Sequence, residues 1–164
     1  MGSFFDASGS EVNISGGEVG VGFDANFGSE VNISGGEVGA DFDANSGSEV
    51  NISGGTVGDG FAADSGSEVN LLGSEFFLDG ELLDTLTFGD PFTISDRGVT
   101  LSGTLEDGSL FSFDLNSSFV GFEEDLFELG ATLTVTVTVV PEPGSLTLLG
   151  LGGLTTMLRR RRSA

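Results

Sequence analysis

The chain has 164 residues, with 26 acids against 5 bases, a formal net charge of −21 and an isoelectric point near 4.1. That length suits one domain with an appendage, and so acidic a balance excludes nucleic-acid binding, which needs a basic footprint. Cys, His, Lys, Trp and Tyr are all absent. Disulfides, thiolate or imidazole metal ligands, a His base and a Schiff-base or phosphate-loop Lys are excluded with them. Hydrophobic residues still make up 38%, and every aromatic is Phe, so the chain has the material for a core and is not a disordered acidic tail.

The first element in chain order is a repeat. The string Ser-Glu-Val-Asn begins at Ser10, Ser29, Ser48 and Ser67, a spacing of 19 each time. Nineteen residues are too few for paired helices, and Gly at this density disfavours helix. Each unit offers two short extended stretches separated by Gly-Gly. In the first, Val12 and Ile14 alternate with Glu11 and Asn13; in the second, Val19, Val21 and Phe23 alternate with Gly20 and Gly22. This is strand periodicity. One such coil cannot bury its own apolar face, whereas stacked coils can. The expected fold is all-β, a parallel β-solenoid over residues 1–74, with antiparallel hairpins as the rival arrangement. Three inward ladders are predicted: Val12/Val31/Val50/Val69, Ile14/Ile33/Ile52/Leu71 and Phe23/Phe42/Phe61. Asn13/Asn32/Asn51/Asn70 form a polar ladder, as an internal amide stack or facing solvent.

Glu11, Glu30, Glu49 and Glu68 then stand about 4.8 Å apart. Neighbouring charges at that distance repel by about 0.9 kcal/mol in bulk water and by about 3.5 kcal/mol at an effective dielectric of 20. The acidic ladder must therefore face water or be bridged by cations. Calcium is the one cofactor this leaves open; the metal site itself is unknown from sequence, and no other cofactor is called for. The first residues also align with the second half of a unit, Met1 taking the place of Val19, Val38 and Val57, so the expectation is that the natural chain extends upstream of Met1.

Residues 75–140 lose the repeat but stay β-rich, and are expected to form a cap or small sandwich that continues one core. Leu86-Thr87-Phe88, Phe92-Thr93-Ile94 and Val99-Thr100-Leu101 read as short strands. Glu106-Asp107-Gly108-Ser109 reads as an Asp-Gly hairpin turn that places Phe111, Phe113 and Leu115 on one face. Glu123-Glu124-Asp125 reads as a solvated loop. Residues 131–140 alternate strictly, with Leu133, Val135, Val137 and Val139 on one side and Thr on the other.

The basic residues are concentrated at the end. Residues 1–140 hold 25 acids and Arg97 alone, a formal charge of −24. After Val140 the chain reads Pro141-Glu142-Pro143, then 15 residues without charge at 144–158, then Arg159, Arg160, Arg161 and Arg162. As a helix the uncharged stretch spans about 22 Å, short of a hydrocarbon core of about 30 Å. The Arg run stays cytoplasmic by the positive-inside rule, with the body outside.

This tripartite tail over 141–164 resembles the PEP-CTERM sorting signal of exopolysaccharide-producing Gram-negative bacteria. The resemblance rests on Val140, Pro141, Glu142 and Pro143, the uncharged span, and the terminal Arg run. It implies recognition and cleavage near the tripeptide by exosortase, a membrane-embedded transpeptidase-like enzyme, and delivery to the cell envelope or outside through a single-pass membrane intermediate. It also implies that Val140, Pro141, Glu142 and Pro143 are the sorting motif and that Arg159, Arg160, Arg161 and Arg162 set orientation, with exopolysaccharide a candidate partner.

The expected function is a non-catalytic envelope or matrix protein, an acidic solenoid spacer or adhesin. The alternatives are a calcium-binding solenoid module and a polysaccharide-acting β-helix enzyme. The last fares worst: Arg97 is the one cation outside the tail to stabilise an enolate, and Asp24 and Asp43 are merely two of many acids for a glycosidase pair. The expected catalytic residues are therefore none.

Overall fold

A computed structural model of the chain describes residues 5–119, 121 and 124–138. The repeats form alternating short and long strands: β1 (Phe5–Ala7), β2 (Glu11–Val19), β3 (Phe23–Ala25), β4 (Glu30–Val38), β5 (Phe42–Ala44), β6 (Glu49–Val57), β7 (Ala62–Ala63) and β8 (Glu68–Leu78). Every long strand pairs in parallel with the next long strand, and every short strand with the next short one. Equivalent residues stand opposite each other: Val12 on Val31 on Val50 on Val69, and Ile14 on Ile33 on Ile52 on Leu71. The chain is the parallel β-solenoid its repeat predicts.

The reason is the burial each rung obtains from its neighbour. Val31, Val50, Val69, Ile33, Ile52 and Leu71 are almost completely buried. The rings of Phe23 and Phe42 stack at 4.9 Å and 5°, and those of Phe42 and Phe61 at 5.0 Å and 17°. That spacing is the strand spacing itself, so the backbone register sets the ring contact.

The structure differs from the sequence reading at Gly-Gly. The pair does not separate two strands. The long strand runs through it, with a register irregularity around Ser15–Glu18 and again around Ser34–Glu37. The break falls later, at 20–22, so the second strand begins at Phe23, and Val21 stands half exposed at the corner. Gly36 and Gly55 have φ of +88° and +82°, and a Cβ on Gly55 would lie 2.7 Å from the Gly36 carbonyl oxygen. Position and conformation both demand Gly there.

The other corner is a tight turn. Ser29, Ser48 and Ser67 donate both N–H and hydroxyl to the carbonyl three residues back, on Asn26, Asn45 and Asp64. These buried hydroxyls are thereby satisfied. The Gly28 N–H donates to Gly47 O, and Gly47 N–H to Gly66 O, tying the turns into a ladder.

The later strands are β9 (Glu81–Leu82), β10 (Phe92–Thr93), β11 (Thr100–Leu105), β12 (Leu110–Asp114), β13 (Leu126–Phe127) and β14 (Thr132–Val137). β13 pairs in parallel with β7, and β14 with β8, so residues 126–137 make a fifth coil on the fourth. Leu133 extends the Val ladder, Val135 the Ile ladder and Thr134 the Asn ladder, where its hydroxyl donates to Asn70 Oδ1 at 2.6 Å. The segment between is inserted. β11 and β12 form the expected hairpin, antiparallel to each other, and β11 also pairs with the second half of β8. Its turn is wider than a two-residue Asp-Gly turn, and Gly108 alone within it has positive φ, at +88°. Phe113 and Leu115 are buried and Phe111 half-buried, as one face of the hairpin. Residues 86–88 are not a strand but a loop; the sheet margin they approach is taken by β10, which pairs antiparallel with β14. One apolar core runs from Ala7 to Val135 through both halves.

Replacing Gly55 with Ala is expected to destabilise the fold by about 1 kcal/mol or more, while Ala at the exposed Gly80, where nothing lies within 4 Å, costs only the strain of its φ of +78°. Thermal melts followed by circular dichroism compare the two.

Candidate functional site

The outward faces carry the polar chemistry. Glu11, Glu30, Glu49 and Glu68 stand in register along one edge of the long sheet and are exposed, the solvated arrangement that electrostatics requires. Asn side chains two residues on supply donors: Asn13 Nδ2 to Glu11 Oε1 at 2.9 Å and Asn32 Nδ2 to Glu30 at 3.3 Å. The Asn residues also form an amide ladder, Asn51 Nδ2 to Asn32 Oδ1 at 3.0 Å and Asn70 Nδ2 to Asn51 Oδ1 at 2.9 Å. The amide stack is half-buried on the outer side of the sheet. A shallow groove follows these corners from Gly28 to Glu68.

A second acidic ladder lies on the short strands, where Asp6, Asp24 and Asp43 are in register, the latter two between inward Phe and Ala. Asp43 is pushed up to about 6, by burial first and then by the charge of Asp24 and a hydrogen bond with it. Asp24 is raised by burial and by its hydrogen bond with Asp6. Burial, with the nearby Glu128, also raises Asp64. The rungs thus bring the candidate pair Asp24 and Asp43 together. They stand opposite each other on adjacent strands, one strand spacing of about 4.8 Å apart, two members of a longer row of like carboxylates with Asp6. Among the described residues, no three acids are placed to share one metal ion.

Arg97 is not placed as an enolate stabiliser. Its Nε donates to Phe127 O at 2.8 Å, Nη1 to Ile94 O and Asp96 O, and Nη2 to Glu128 O and Ala131 O. In the inner coils the carbonyls matching Phe127 O and Ala131 O accept N–H groups from the next coil: Asp64 N–H donates to Ala44 O, and Thr132 N–H to Ser67 O. The guanidinium replaces those donors at the last rung. Sequence offered no signal for this role, because Arg97 lies thirty residues or more from the carbonyls it caps.

Two further acids hold the insertion in place. Asp107 accepts from the Gly55 N–H at 2.8 Å and from Ser109 N–H and hydroxyl, fastening the hairpin turn onto the third coil. Burial opposes its ionisation, but the hydrogen bonds from Ser109 and Gly55 outweigh this and hold its carboxyl below the ordinary value. Asp125, expected in a solvated loop, is half-buried. Its two oxygens accept from Phe61 N–H at 2.9 Å and Asp114 N–H at 3.1 Å, and burial raises its pKa despite them.

Val140, Pro141, Glu142, Pro143, Arg159, Arg160, Arg161, Arg162 and the uncharged span with its expected helix lie outside the described residues. The described chain reaches Thr138, whose N–H donates to Gly73 O at 2.9 Å. Residues 139–162 match the family of the PEP-CTERM protein-sorting motif. No curated protein and no solved structure matches the chain.

Two outcomes test these assignments. Arg97→Met removes five donors and is expected to cost about 2 kcal/mol or more, through stranded carbonyls at the last coil; chemical denaturation reads it. The raised carboxyls set a pH dependence. Asp43 binds its proton more tightly folded than unfolded, so its contribution is full below the ordinary value of 3.8 and is lost as pH rises through about 6. The melting temperature is expected to fall between pH 4.5 and 7.5, and Asp43→Asn to flatten that fall and raise the melting temperature at pH 7.5.

Proposed function

We propose, from a chain that carries a PEP-CTERM protein-sorting motif directly behind a β-solenoid body, that this is a non-catalytic protein of the cell envelope or extracellular matrix. Its body is an acidic spacer or adhesive surface, and its tail is the address. In this reading the tail is engaged by an exosortase-type enzyme at Val140, Pro141, Glu142 and Pro143. Residues 144–158 enter the membrane, and Arg159, Arg160, Arg161 and Arg162 hold the end on the cytoplasmic side. The body, at a formal charge of −24 over residues 1–140, stands outside and stays in solution by its own repulsion.

The single observation that carries the reading is the match at 139–162. The body supports it by what its polar groups are engaged in. Arg97 is spent on backbone carbonyls, Asp107 and Asp125 on backbone N–H groups, and Asp24 and Asp43 stand side by side in one ladder. Repetition of one rung makes a rod whose length scales with the number of coils, which is what a spacer requires. The calcium alternative draws no support from the described residues, where no three acids converge.

In cells that export and process the chain, replacing Arg159, Arg160, Arg161 and Arg162 together with Gln is expected to leave an unprocessed form in the membrane fraction, seen as a larger band on immunoblots. Normal processing and delivery of that variant would contradict the assignment of the tail.

A further inference from the structure

Resting on that reading of the tail, we propose that the solenoid and the processing enzyme compete for the same residues: the end of β14 must leave its sheet before the tripeptide can be engaged, so the folded body acts as a brake on its own processing.

The last strand among the described residues, β14, ends at Val137. Thr136 stands opposite Leu72 and Val137 opposite Gly73 in the parallel pairing of β14 with β8. The Thr138 N–H donates to Gly73 O at 2.9 Å, and the Gly89 N–H donates to Val137 O at 2.9 Å. Val137 packs against the core. The described backbone is therefore hydrogen-bonded up to the residue just before the matched motif begins at 139.

Chain length does the rest. Pro141 follows Thr138 by three residues, which reach at most about 11 Å when fully extended. In this proposal the enzyme takes the chain as an extended strand, pairing with its backbone groups over several residues on each side of the bond, as other strand-binding sites do. The four residues before Pro141 are Val137, Thr138, Val139 and Val140. The Val137 carbonyl and the Thr138 N–H already have partners inside the solenoid, and neither group can serve the sheet and a second strand-binding cleft at once. On the other side of the tripeptide the uncharged stretch begins at once, at residue 144, so slack cannot be drawn from there.

The opening required is small. Leu133 and Val135 are fully buried and anchor the coil, while β10 covers β14 at Thr134 and Val135 alone. Releasing Val137 and Thr138 breaks the two backbone hydrogen bonds named above, loosens the Thr138 hydroxyl from Gly73 O and lifts Val137 off the core, but leaves the inner ladder standing. Strand ends open at a fraction of the global unfolding cost. The body therefore slows processing without blocking it.

The test uses the full chain presented to membrane vesicles that contain an exosortase-type enzyme, with cleavage followed by mass spectrometry. Inserting six Gly and Ser residues between Thr138 and Val139 supplies the slack and is expected to speed cleavage by about tenfold, the effect of sparing two backbone hydrogen bonds. The converse variant, Leu72→Cys with Thr136→Cys, staples the pair immediately before the two residues that open, in a chain that otherwise lacks Cys, and so limits how far they can lift from β8. Its oxidised form is expected to be cleaved more slowly than the wild type, and reductant to restore the rate in the same sample. Equal rates, within twofold, for wild type, linker and oxidised chains would overturn the competition while leaving the sorting reading intact. Absence of cleavage in both wild type and linker chains would overturn the sorting reading and this inference with it. Melting curves of the linker chain, expected to match the wild type, separate added slack from a damaged body.

Discussion

The structure depends on like side chains lying on like. A coil of 19 residues is too small to enclose a core, so its inner face is dry only when the next coil covers it. Parallel in-register pairing makes the cover identical to what it covers. For Val, Ile and Phe this is favourable at every rung, and the near-parallel rings of Phe23, Phe42 and Phe61 are its clearest form. For carboxylates the same rule is unfavourable at every rung. One constraint therefore sorts the whole sequence: apolar ladders turn inward, Glu ladders turn to water, and amides, which donate and accept, make a ladder of their own between them.

A stack of identical rungs has no natural end, and termination explains much of the second half. The fifth coil keeps the inward ladders with Leu133 and Val135 but replaces Glu with Thr132 and Asn with Thr134. Phe127 and Phe113 close the aromatic stack over Phe61, at 5.4 Å each and with tilted or edge-on rings in place of parallel ones. Arg97 then meets the carbonyls that a sixth coil would have satisfied, and β10 covers the outer margin of β14. Asp107 and Asp125 tie the inserted hairpin to the repeats through backbone N–H groups. Arg97 and Asp125 are half-buried and Asp107 is exposed, and all three answer backbone groups that the stack leaves open.

The ladders could be read in advance because a spacing of 19 written four times is a statement about register as well as composition. The hairpin between 99 and 115 and the alternating strand near the end were legible for the same reason, since period-two patterning shows on a single segment. Gly-Gly was not. It reads locally as a break, but the strand continues because the stacked neighbour holds the backbone on both sides and needs a residue without Cβ there, as Gly55 over Gly36 does. The fifth coil was hidden because Thr132 follows Glu68 by 64 residues, not 19, and shares no side chain with it. The role of Asp125 was hidden for a different reason: its partner Phe61 is 64 residues away, and nothing in an acidic run marks which carboxylate will meet a backbone donor. The tail was legible as a pattern of residue types, and its match at 139–162 owes nothing to the fold.

Equivalent residues of successive repeats touch. Nuclear Overhauser contacts in the isotopically labelled chain test it most directly. Contacts are expected between the rings of Phe23 and Phe42 and of Phe42 and Phe61, and between the methyl groups of Ile14 and Ile33 and of Ile33 and Ile52, each pair 19 residues apart. Contacts of Val and Ile confined to partners close in sequence, as in a row of hairpins, would contradict it.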